Sequence, residues 1–248
     1  MLFRSRDAYL EAKTTIEAKA KDMVAHYVTH VFPNGYKAQI VATSREAAVR
    51  YKGYVDAALG KAVAALEKSN PQKLDVEVLK RLKTDVIISG SHSDEMHLKP
   101  YTDGAKHETT IKSFKLPFGS EEEGVKGDMG IVIVNNMLLT GFDAPVEQVM
   151  YLDKIIVAHG LLQAIARVNR VSGPAKDKGF VVDYVGVGHH LKKALDSYDE
   201  REQNEVLDVL SFPEEELREL RASHAAIMEF LQKHGPSLLA RSDPVAFD

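Results

Sequence analysis

Two arginines and a glutamine in the last 90 residues of the chain have the spacing of an anion-binding helix face. Gln163, Arg167 and Arg170 are four and three residues apart, so on a helix they lie along one stripe. The opposite side of that helix is apolar, with Leu161, Ile165 and Val168. Guanidinium groups stay charged and match phosphate oxygens in shape, which predicts a phosphate-binding face. An ordinary solvated surface is the alternative, but the stripe contains neither Lys nor Glu.

The turn before this helix, TGFDAP at 140–145, contains one carboxylate, Asp143. Its Gly141 and Pro145 restrict the backbone of the turn. Asp143 could accept a ribose hydroxyl or pair with a neighbouring arginine. Alternatively, it caps the backbone of its own turn, as Asp residues commonly do. The residues alone leave both roles open.

A second candidate anion site lies at residues 43–45, where a strand is followed by a helix. The first N–H groups of a helix and the hydroxyls of Thr43 and Ser44 favour an anion, and Arg45 adds a positive charge. Simple capping of the helix by Thr43 and Ser44 is the alternative, and Thr43 and Glu46 have the spacing of a capping box. Contacts of this kind to a nucleic acid position its backbone without reading its sequence.

The elements that must position these residues alternate between short apolar strands and helices. Strands are predicted at residues 37–43, 84–90, 129–137, 148–153 and 179–186. Helices are predicted at 6–31, from the end of the first strand to about 66, at 74–82 and at 106–114. The first helix has apolar residues at helical spacing, beginning with Tyr9. This alternation predicts an α/β fold with a parallel sheet covered by helices on both faces.

Parallel α/β sheets bind ligands at the carboxyl ends of their strands. Three polar segments follow predicted strands: residues 43–45, 90–92 and 139–145. They are therefore expected at the same edge of the sheet, which favours a phosphate site there. Residues 91–127 are otherwise polar and rich in loops.

Length and composition suit a protein of the reducing cytoplasm. The 248 residues include no Cys, and neither a membrane-length apolar run nor a signal peptide is present. A domain is predicted at 1–188, followed by a helical region at 189–248. The net charge of −4 argues against nonspecific coating of nucleic acid by the whole surface. Basic residues lead between 154 and 178, whereas acidic residues dominate 196–221.

Several common sites are missing from the sequence. It contains no G-x-x-x-x-G-K-[ST] phosphate loop and no dinucleotide fingerprint. His26 and His30 have zinc-pair spacing but no accompanying Glu base, so we expect no metal site. If the chain contacts a nucleoside triphosphate, it supplies arginines while another domain cradles the phosphates.

Three segments resemble a known motor domain: LLTGFDAP (138–145), LLQAIARVNR (161–170) and GFVVDYVG (179–186). They are similar to the second RecA-like domain of superfamily 2 helicases and translocases. The residues within these motifs most resemble those of the R (HsdR) subunit of type I restriction-modification enzymes. Segments 39–51, 86–94 and 150–154 look like the same family, and the resemblance covers about residues 20–200.

The resemblance implies a role in ATP hydrolysis for two segments: the stripe of Gln163, Arg167 and Arg170, and the turn at 140–145. Arg170 would be the arginine finger on the γ-phosphate, with Arg167 as its companion and Gln163 positioning both. Gly141 and Asp143 would border the nucleotide and couple it to DNA. ATP and Mg would be bound mainly by a domain absent from this chain.

The resemblance also implies contacts with duplex DNA. Thr43, Ser44 and Arg45 would lie against a DNA phosphate, and Thr140 would lie near the DNA backbone. The partners of such a subunit are its upstream RecA-like and nuclease domains and separate specificity and methylation subunits. The complete enzyme cleaves DNA nonspecifically after ATP-driven translocation.

This chain departs from the full pattern because it lacks a nuclease domain and the Walker motifs. It therefore resembles a fragment, and we expect neither ATPase nor nuclease activity from the isolated chain. Two alternatives remain at this point. One is a non-catalytic DNA- or subunit-binding module, and the other is a motor domain of another superfamily 2 restriction or repair helicase.

Overall fold

The structure, a computed structural model, describes residues 8–139, 142–156, 160, 164, 168 and 179–186. A five-stranded parallel sheet lies at the centre of this part of the chain. The strands, in chain order, are β1 (Lys37–Ala42), β2 (Lys83–Ile87), β3 (Glu121–Glu122), β4 (Val125–Lys126), β5 (Met129–Val134), β6 (Glu147–Asp153) and β7 (Phe180–Asp183). The sheet has the spatial order β2-β5-β1-β6-β7, and β3 and β4 form a separate antiparallel hairpin.

The predicted α/β fold is therefore confirmed, with β1 at the middle of the sheet between β5 and β6. The chain divides into two compact units, residues 1–203 and 204–248, and every described residue belongs to the first. The predicted helical region from residue 189, and its boundary with the domain at 1–188, lie outside the described residues. They stay predictions.

The first face of the sheet is covered by two long helices, α1 (Lys13–His26) and α2 (Arg45–Lys68). Side chains alternate along each strand, and Ile40, Ile133 and Tyr151 belong to the core that these helices complete. All three are fully buried. This face therefore carries the main hydrophobic core.

The second face is covered by α4 (Gly104–Lys115), while the short α3 (Val76–Arg81) precedes β2. Phe114 of α4 is fully buried. Thr110 of the same helix donates a hydrogen bond to Asp85 of β2 at 3.3 Å. Helices thus lie on both faces, which is why the strands are apolar on both sides.

The single helix predicted for residues 6–31 is interrupted in the structure. Residues 8–11 are helical, Ala12 is extended, and α1 begins at Lys13. The Glu11 carbonyl accepts a hydrogen bond from Arg50 of α2 at 2.5 Å instead of continuing the helix. Because of the break, Tyr9 is 61% exposed although its spacing predicted burial, and Leu10 is buried instead.

Two strands were predicted to extend too far, and the hairpin of β3 and β4 was not predicted. The predicted strands at 84–90 and 129–137 end at Ile87 and Val134. After α1 the chain continues through a π-helical turn, Tyr27–Val31, and a 3-10 turn, Phe32–Asn34. The polar segment 91–127 contains α4 and the hairpin of β3 and β4. Local patterns do not mark these ends because hydrogen bonds to distant residues decide them.

Candidate functional site

The carboxyl ends of the parallel strands bring three polar segments to one edge of the sheet. Residues 43–45 follow β1, residues 88–98 follow β2, and the segment from 135 follows β5. Since these strands are parallel neighbours, the predicted convergence is confirmed for residues 43–45 and for the loop after β2. The segment after β5 begins at the same edge but returns to the amino end of the sheet, where the Val146 carbonyl accepts a hydrogen bond from the Lys37 N–H at 2.9 Å. Thr140 and Gly141 lie outside the described residues. We call this region the carboxyl edge.

The N-terminus of α2 is capped by Ser44, so the predicted capping box of Thr43 and Glu46 is wrong. Ser44 is extended, with φ −141° and ψ 169°, and its Oγ accepts a hydrogen bond from the Ala47 N–H at 3.1 Å. The helix begins one residue later than the box requires, because β1 ends at Ala42 and both Thr43 and Ser44 bridge to the helix. Ser44 thus has the capping role that the alternative interpretation assigned to it.

Arg45, the first residue of α2, is held by the loop that follows β2. Its Nη1 donates to the Ser89 carbonyl at 2.8 Å and lies 2.6 Å from Asp94 Oδ1. The hydrogen bond from the Ser91 N–H lowers the pKa of Asp94, and the Arg45 guanidinium acts in the same direction. The predicted phosphate-binding arginine is therefore present at the carboxyl edge, already paired with a carboxylate.

A second ion pair joins the same two segments three residues further along the loop. His97 Nε2 lies 2.6 Å from Glu46 Oε2, and Arg50 Nη2 lies 3.1 Å from Glu46 Oε1. The hydrogen bond with His97 lowers the pKa of Glu46, and the same bond raises the pKa of His97. The first turn of α2 and residues 88–98 are therefore joined at two places.

Two asparagines that the sequence reasoning missed join the ends of three strands. Asn135 follows β5, and its side-chain N–H donates to the Ala42 carbonyl at the end of β1 at 2.9 Å. Lys154, which follows β6, donates to the Asn135 carbonyl at 3.1 Å and to the Asn136 side chain. Burial lowers the pKa of Lys154. An Asn pair directly after a buried strand was the available sequence signal.

The turn that contains Asp143 alternates between buried and exposed residues. Phe142 and Ala144 are buried, and Asp143 is exposed. The Phe142 ring stacks on Phe114 of α4, with centroids 6.1 Å apart, and Lys115 Nζ lies 5.3 Å from its centroid. The turn is thus anchored by its aromatic residue, with the Asp143 carboxylate at the surface, and the nucleotide role of Asp143 stays a prediction.

The helix predicted to carry the arginine stripe is described at three positions only. Gly160, Ala164 and Val168 are helical, and both Ala164 and Val168 are buried. Burial of Val168 confirms the predicted apolar side at that residue. Gln163, Arg167 and Arg170 lie outside the described residues, so their roles stay predictions.

A close backbone contact joins this helix to β7. A Cβ on Gly179, the residue before β7, would lie 2.1 Å from the Val168 carbonyl oxygen. Only glycine fits at such an approach. Gly179 therefore permits Val168 and the residue before β7 to lie in contact.

A buried acidic residue at the end of β6 was also missed. Asp153 is fully buried and accepts hydrogen bonds from Lys19 of α1 at 2.5 Å and from Tyr51 of α2 at 2.6 Å. Burial raises the pKa of Asp153, and these two hydrogen bonds oppose that effect. Asp153 thus attaches both helices of the first face to the carboxyl end of β6.

The histidine pair lies near the opposite end of the sheet. His26 and His30 line a cavity of about 410 Å³ with Gln148 and Phe180, at the amino ends of β6 and β7. Their rings are 5.1 Å apart, and His26 Nδ1 is 2.8 Å from the Tyr151 hydroxyl. Within the described ranges, no three His, Cys, Asp or Glu residues are grouped as a metal site would require.

A parallel sheet with helices on both faces and polar loops at its carboxyl edge defines an α/β domain, an architecture consistent with the RecA-like kind. Residues 34–186 match the family model described as type I restriction enzyme subunit R domain 3. The chain belongs to this family. Among the described helices, none is long and apolar enough to cross a membrane.

Relatives of this chain carry the same family name. The HindI endonuclease subunit of a type I restriction enzyme from Haemophilus influenzae is 30% identical over 198 residues, which cover 79% of this chain and 17% of that protein. The putative type I restriction enzyme MjaVIIP endonuclease subunit from Methanocaldococcus jannaschii is 33% identical over 208 residues, 80% of this chain and 18% of that protein. The chain thus spans about a sixth of the length of the curated relatives it matches.

One solved structure is weakly similar to this chain. It is the fragment of a putative HsdR subunit of a type I restriction enzyme from Vibrio vulnificus YJ016, with a TM-score of 0.45 and 14% sequence identity. The superposition covers 76% of this chain and 31% of that fragment.

Proposed function

We propose that this chain is the second RecA-like motor domain of a type I restriction enzyme R subunit. In this role it supplies arginine contacts to an ATP site and backbone contacts to duplex DNA during translocation. Membership of the R-subunit family carries the proposal. The carboxyl edge supports it, because parallel α/β sheets bind ligands at this position and the chain's candidate polar segments follow the strands there.

For ATP hydrolysis, the proposed groups are Arg170 as arginine finger, Arg167 as companion and Gln163 as the residue that positions them. Gly141 and Asp143 border the nucleotide. When bound with Mg, ATP supplies a γ-phosphoryl group whose transfer develops charge on its oxygens. A guanidinium supplied from across an interface offsets that charge, and such fingers contribute on the order of 10³ to 10⁵ in rate.

The described residues fit one side of a nucleotide site. Asp143 is exposed in the segment between β5 and β6, and a carboxylate is suited to accept a hydrogen bond from a ribose hydroxyl. The sequence contains no phosphate loop, so the triphosphate and Mg are held mainly by another domain. This division of labour makes the arginines the chain's principal contribution to hydrolysis.

For DNA, the proposed contacts are Thr43, Ser44 and Arg45 at the start of α2, together with Thr140. The first three are partly exposed at the N-terminus of a 24-residue helix, where N–H groups and the helix dipole favour an anion. Ser44 Oγ accepts a hydrogen bond from Ala47, so its O–H can still donate to a phosphate. Such contacts position a duplex without selecting its sequence.

The wider setting is part of the same proposal. The partners are duplex DNA, the upstream RecA-like and nuclease domains, and the specificity and methylation subunits, all in the cytoplasm. Sequence selection then belongs to another subunit, which agrees with a DNA surface built from backbone-contacting groups. A non-catalytic DNA- or subunit-binding module is the alternative that the experiments below distinguish.

The arginine-finger role is tested by Arg170→Ala in the complete R subunit. We expect DNA-stimulated ATP hydrolysis to fall by about a thousandfold or more, on the order of the finger effect, with duplex binding retained. Arg81→Ala is the control. It removes the same charge from an exposed position on α3. Unchanged turnover in Arg170→Ala would support the non-catalytic module. The isolated 248-residue chain should hydrolyse no ATP, and measurable turnover would contradict the proposed division of labour.

The DNA role is tested by Arg45→Ala in the chain itself. Loss of one phosphate contact should weaken binding of a 25-base-pair duplex by about fivefold and reduce the salt dependence by about one ion. Arg81→Ala again controls for net charge. If Arg45→Ala and wild type bind the duplex with equal affinity, the proposed DNA contact of Arg45 is contradicted.

A further inference from the structure

We propose that Asp94 is a positioning residue for DNA binding, which holds one side of the Arg45 guanidinium and leaves the other side for a DNA phosphate. This inference rests on the proposed DNA-backbone role of Arg45. The inference adds a second residue to that role, on the loop after β2. The negative charge of the Asp94 carboxylate would by itself repel DNA.

The geometry divides the guanidinium into an occupied and an available part. Arg45 Nη1 makes both contacts, to Asp94 Oδ1 at 2.6 Å and to the Ser89 carbonyl at 2.8 Å. An arginine side chain has five N–H donors in a rigid fork. Within the described part of the chain, Nε and Nη2 of Arg45 have no hydrogen-bond partner, so a phosphate can be bound without breaking the contact with Asp94.

Burial separates the two partners in the same way. The Asp94 side chain is 3% exposed and the Arg45 side chain is 28% exposed. The carboxylate is therefore enclosed while part of the guanidinium reaches solvent. An anion that arrives from solvent meets the arginine, and Asp94 lies behind it.

Asp94 is itself fixed to a rigid turn. Its Oδ2 accepts a hydrogen bond from the Ser91 N–H at 2.7 Å, and its own N–H donates to the Ser91 carbonyl at 3.1 Å. The pair of His97 with Glu46 joins the same loop to α2. A carboxylate held in this way restricts the rotamers of a long side chain, and a pre-organised side chain loses less entropy when it binds.

The sign of one substitution separates positioning from simple electrostatics. Asp94→Asn removes a negative charge close to the proposed DNA surface, so charge alone would tighten DNA binding. Tightening is also expected if Asp94 merely occupies Arg45 and competes with the phosphate. Positioning predicts the opposite result, because the guanidinium loses its charged partner and samples more conformations.

The experiment measures the affinity of the full 248-residue chain for a fluorescein-labelled 25-base-pair DNA duplex by fluorescence anisotropy, at several salt concentrations. We expect Asp94→Asn to weaken binding about threefold, by loss of pre-organisation. Glu95→Gln is the matched control. It removes the same charge from the next residue, whose carboxylate contacts His97 and not Arg45, and it should bind as tightly as wild type or more tightly.

A double-substitution cycle tests whether Asp94 acts through Arg45. In an Arg45→Ala background, Asp94→Asn should weaken binding no further, because the side chain that it positions is absent. Asp94→Glu keeps the charge and should restore part of the affinity. Circular dichroism and thermal unfolding of each variant separate loss of affinity from loss of fold.

The outcomes distinguish this inference from the proposed function. If Arg45→Ala binds DNA as wild type does, the DNA role of Arg45 fails, and the role of Asp94 fails with it. If Arg45→Ala binds weakly while Asp94→Asn binds equally well or better, only the positioning role is overturned. An equal loss from Asp94→Asn with and without Arg45 would overturn it as well, since Asp94 would then act on the fold.

Discussion

Two cations near the two ends of β1 have opposite surroundings. Lys37, the first residue of the strand, is fully buried. Its ammonium group donates to the backbone carbonyls of Ser113 at 2.9 Å and Gly127 at 3.0 Å. The same group lies 4.8 Å from the centre of the Phe118 ring. Burial lowers the pKa of Lys37 to about 7.

Arg45, just beyond the other end of β1, keeps contact with solvent and pairs with a carboxylate. The difference separates a buried cation that belongs to the fold, at the amino end of β1, from a partly exposed cation just beyond the carboxyl end, where we propose anion binding. The carbonyl partners of Lys37 belong to the fold and cannot be exchanged for a ligand. A guanidinium has further donors and never loses its charge, so Arg45 can bind an anion while it stays attached to the loop.

The substitution with the largest expected effect on stability is Lys37→Ala, at the amino end of β1. This substitution leaves a cavity and two carbonyls without their donor, and it should lower the free energy of unfolding by about 3 kcal/mol. Arg45→Ala should cost less than about 1 kcal/mol, because a partly exposed ion pair contributes little. Urea unfolding of both variants measures the contrast. Equal losses at the two positions would contradict it.

Lys37, at the amino end of β1, should also make the free energy of unfolding depend on pH. The folded-state pKa of Lys37, about 7, lies below that of an ordinary lysine, about 10.4, so between these values the unfolded chain binds more protons. The free energy of unfolding should therefore rise with pH from about 7, by about 2 kcal/mol up to pH 9.

Lys37→Met keeps most of the side-chain length and removes the titrating group. It should abolish this rise, whereas Arg45→Lys should keep it. Urea midpoints at pH 7, 8 and 9 provide the measurement. A rise of the same size in Lys37→Met would assign the effect to other residues.

At the carboxyl end, Arg45→Lys tests whether the fork of the guanidinium matters beyond its charge. A lysine keeps the positive charge but cannot contact Asp94 and a phosphate through separate nitrogens. We expect duplex binding about threefold weaker than wild type, with the salt dependence preserved. Affinity equal to wild type would show that charge alone suffices.

The smallest effect concerns the second ion pair at this edge. Glu46→Gln should lower the pKa of His97 towards its ordinary value, since the hydrogen bond with Glu46 is the main cause of the raised pKa. Glu95→Gln should lower it less, because the Glu95 carboxylate is 3.5 Å from His97 Nδ1 and contributes only through its charge. NMR titration of the His97 ring measures both.

The raised pKa of His97 also affects stability. Its contribution falls as pH rises, whereas the contribution of Lys37 grows. A histidine with a raised folded-state pKa contributes stability that is fully present below about pH 6.5 and is lost as pH rises through the raised pKa. The difference between wild type and Glu46→Gln should thus be largest in mild acid. A difference that grows with pH would contradict the assignment.

Sequence patterns predicted the described strands of the sheet and its carboxyl edge, because buried parallel strands are continuous apolar runs with polar residues after them. They predicted the wrong cap for α2, since Thr43 and Ser44 are both good N-cap residues and only the end of β1 decides between them. They also placed Tyr9 in the core, because a break at Ala12 depends on a hydrogen bond from Arg50 to Glu11.

The amino-acid sequence by itself determined the α/β class, the presence of a strand before each candidate loop, and the motifs that resemble the R-subunit family. Tertiary structure alone decided which residues meet. Lys37 and Ser113 are 76 positions apart, and Tyr51 and Asp153 are 102 positions apart. Periodicity describes neighbours within one element, whereas these contacts follow from the strand order β2-β5-β1-β6-β7. That order brings the loop containing Asp94 to the N-terminus of α2, where it holds Arg45.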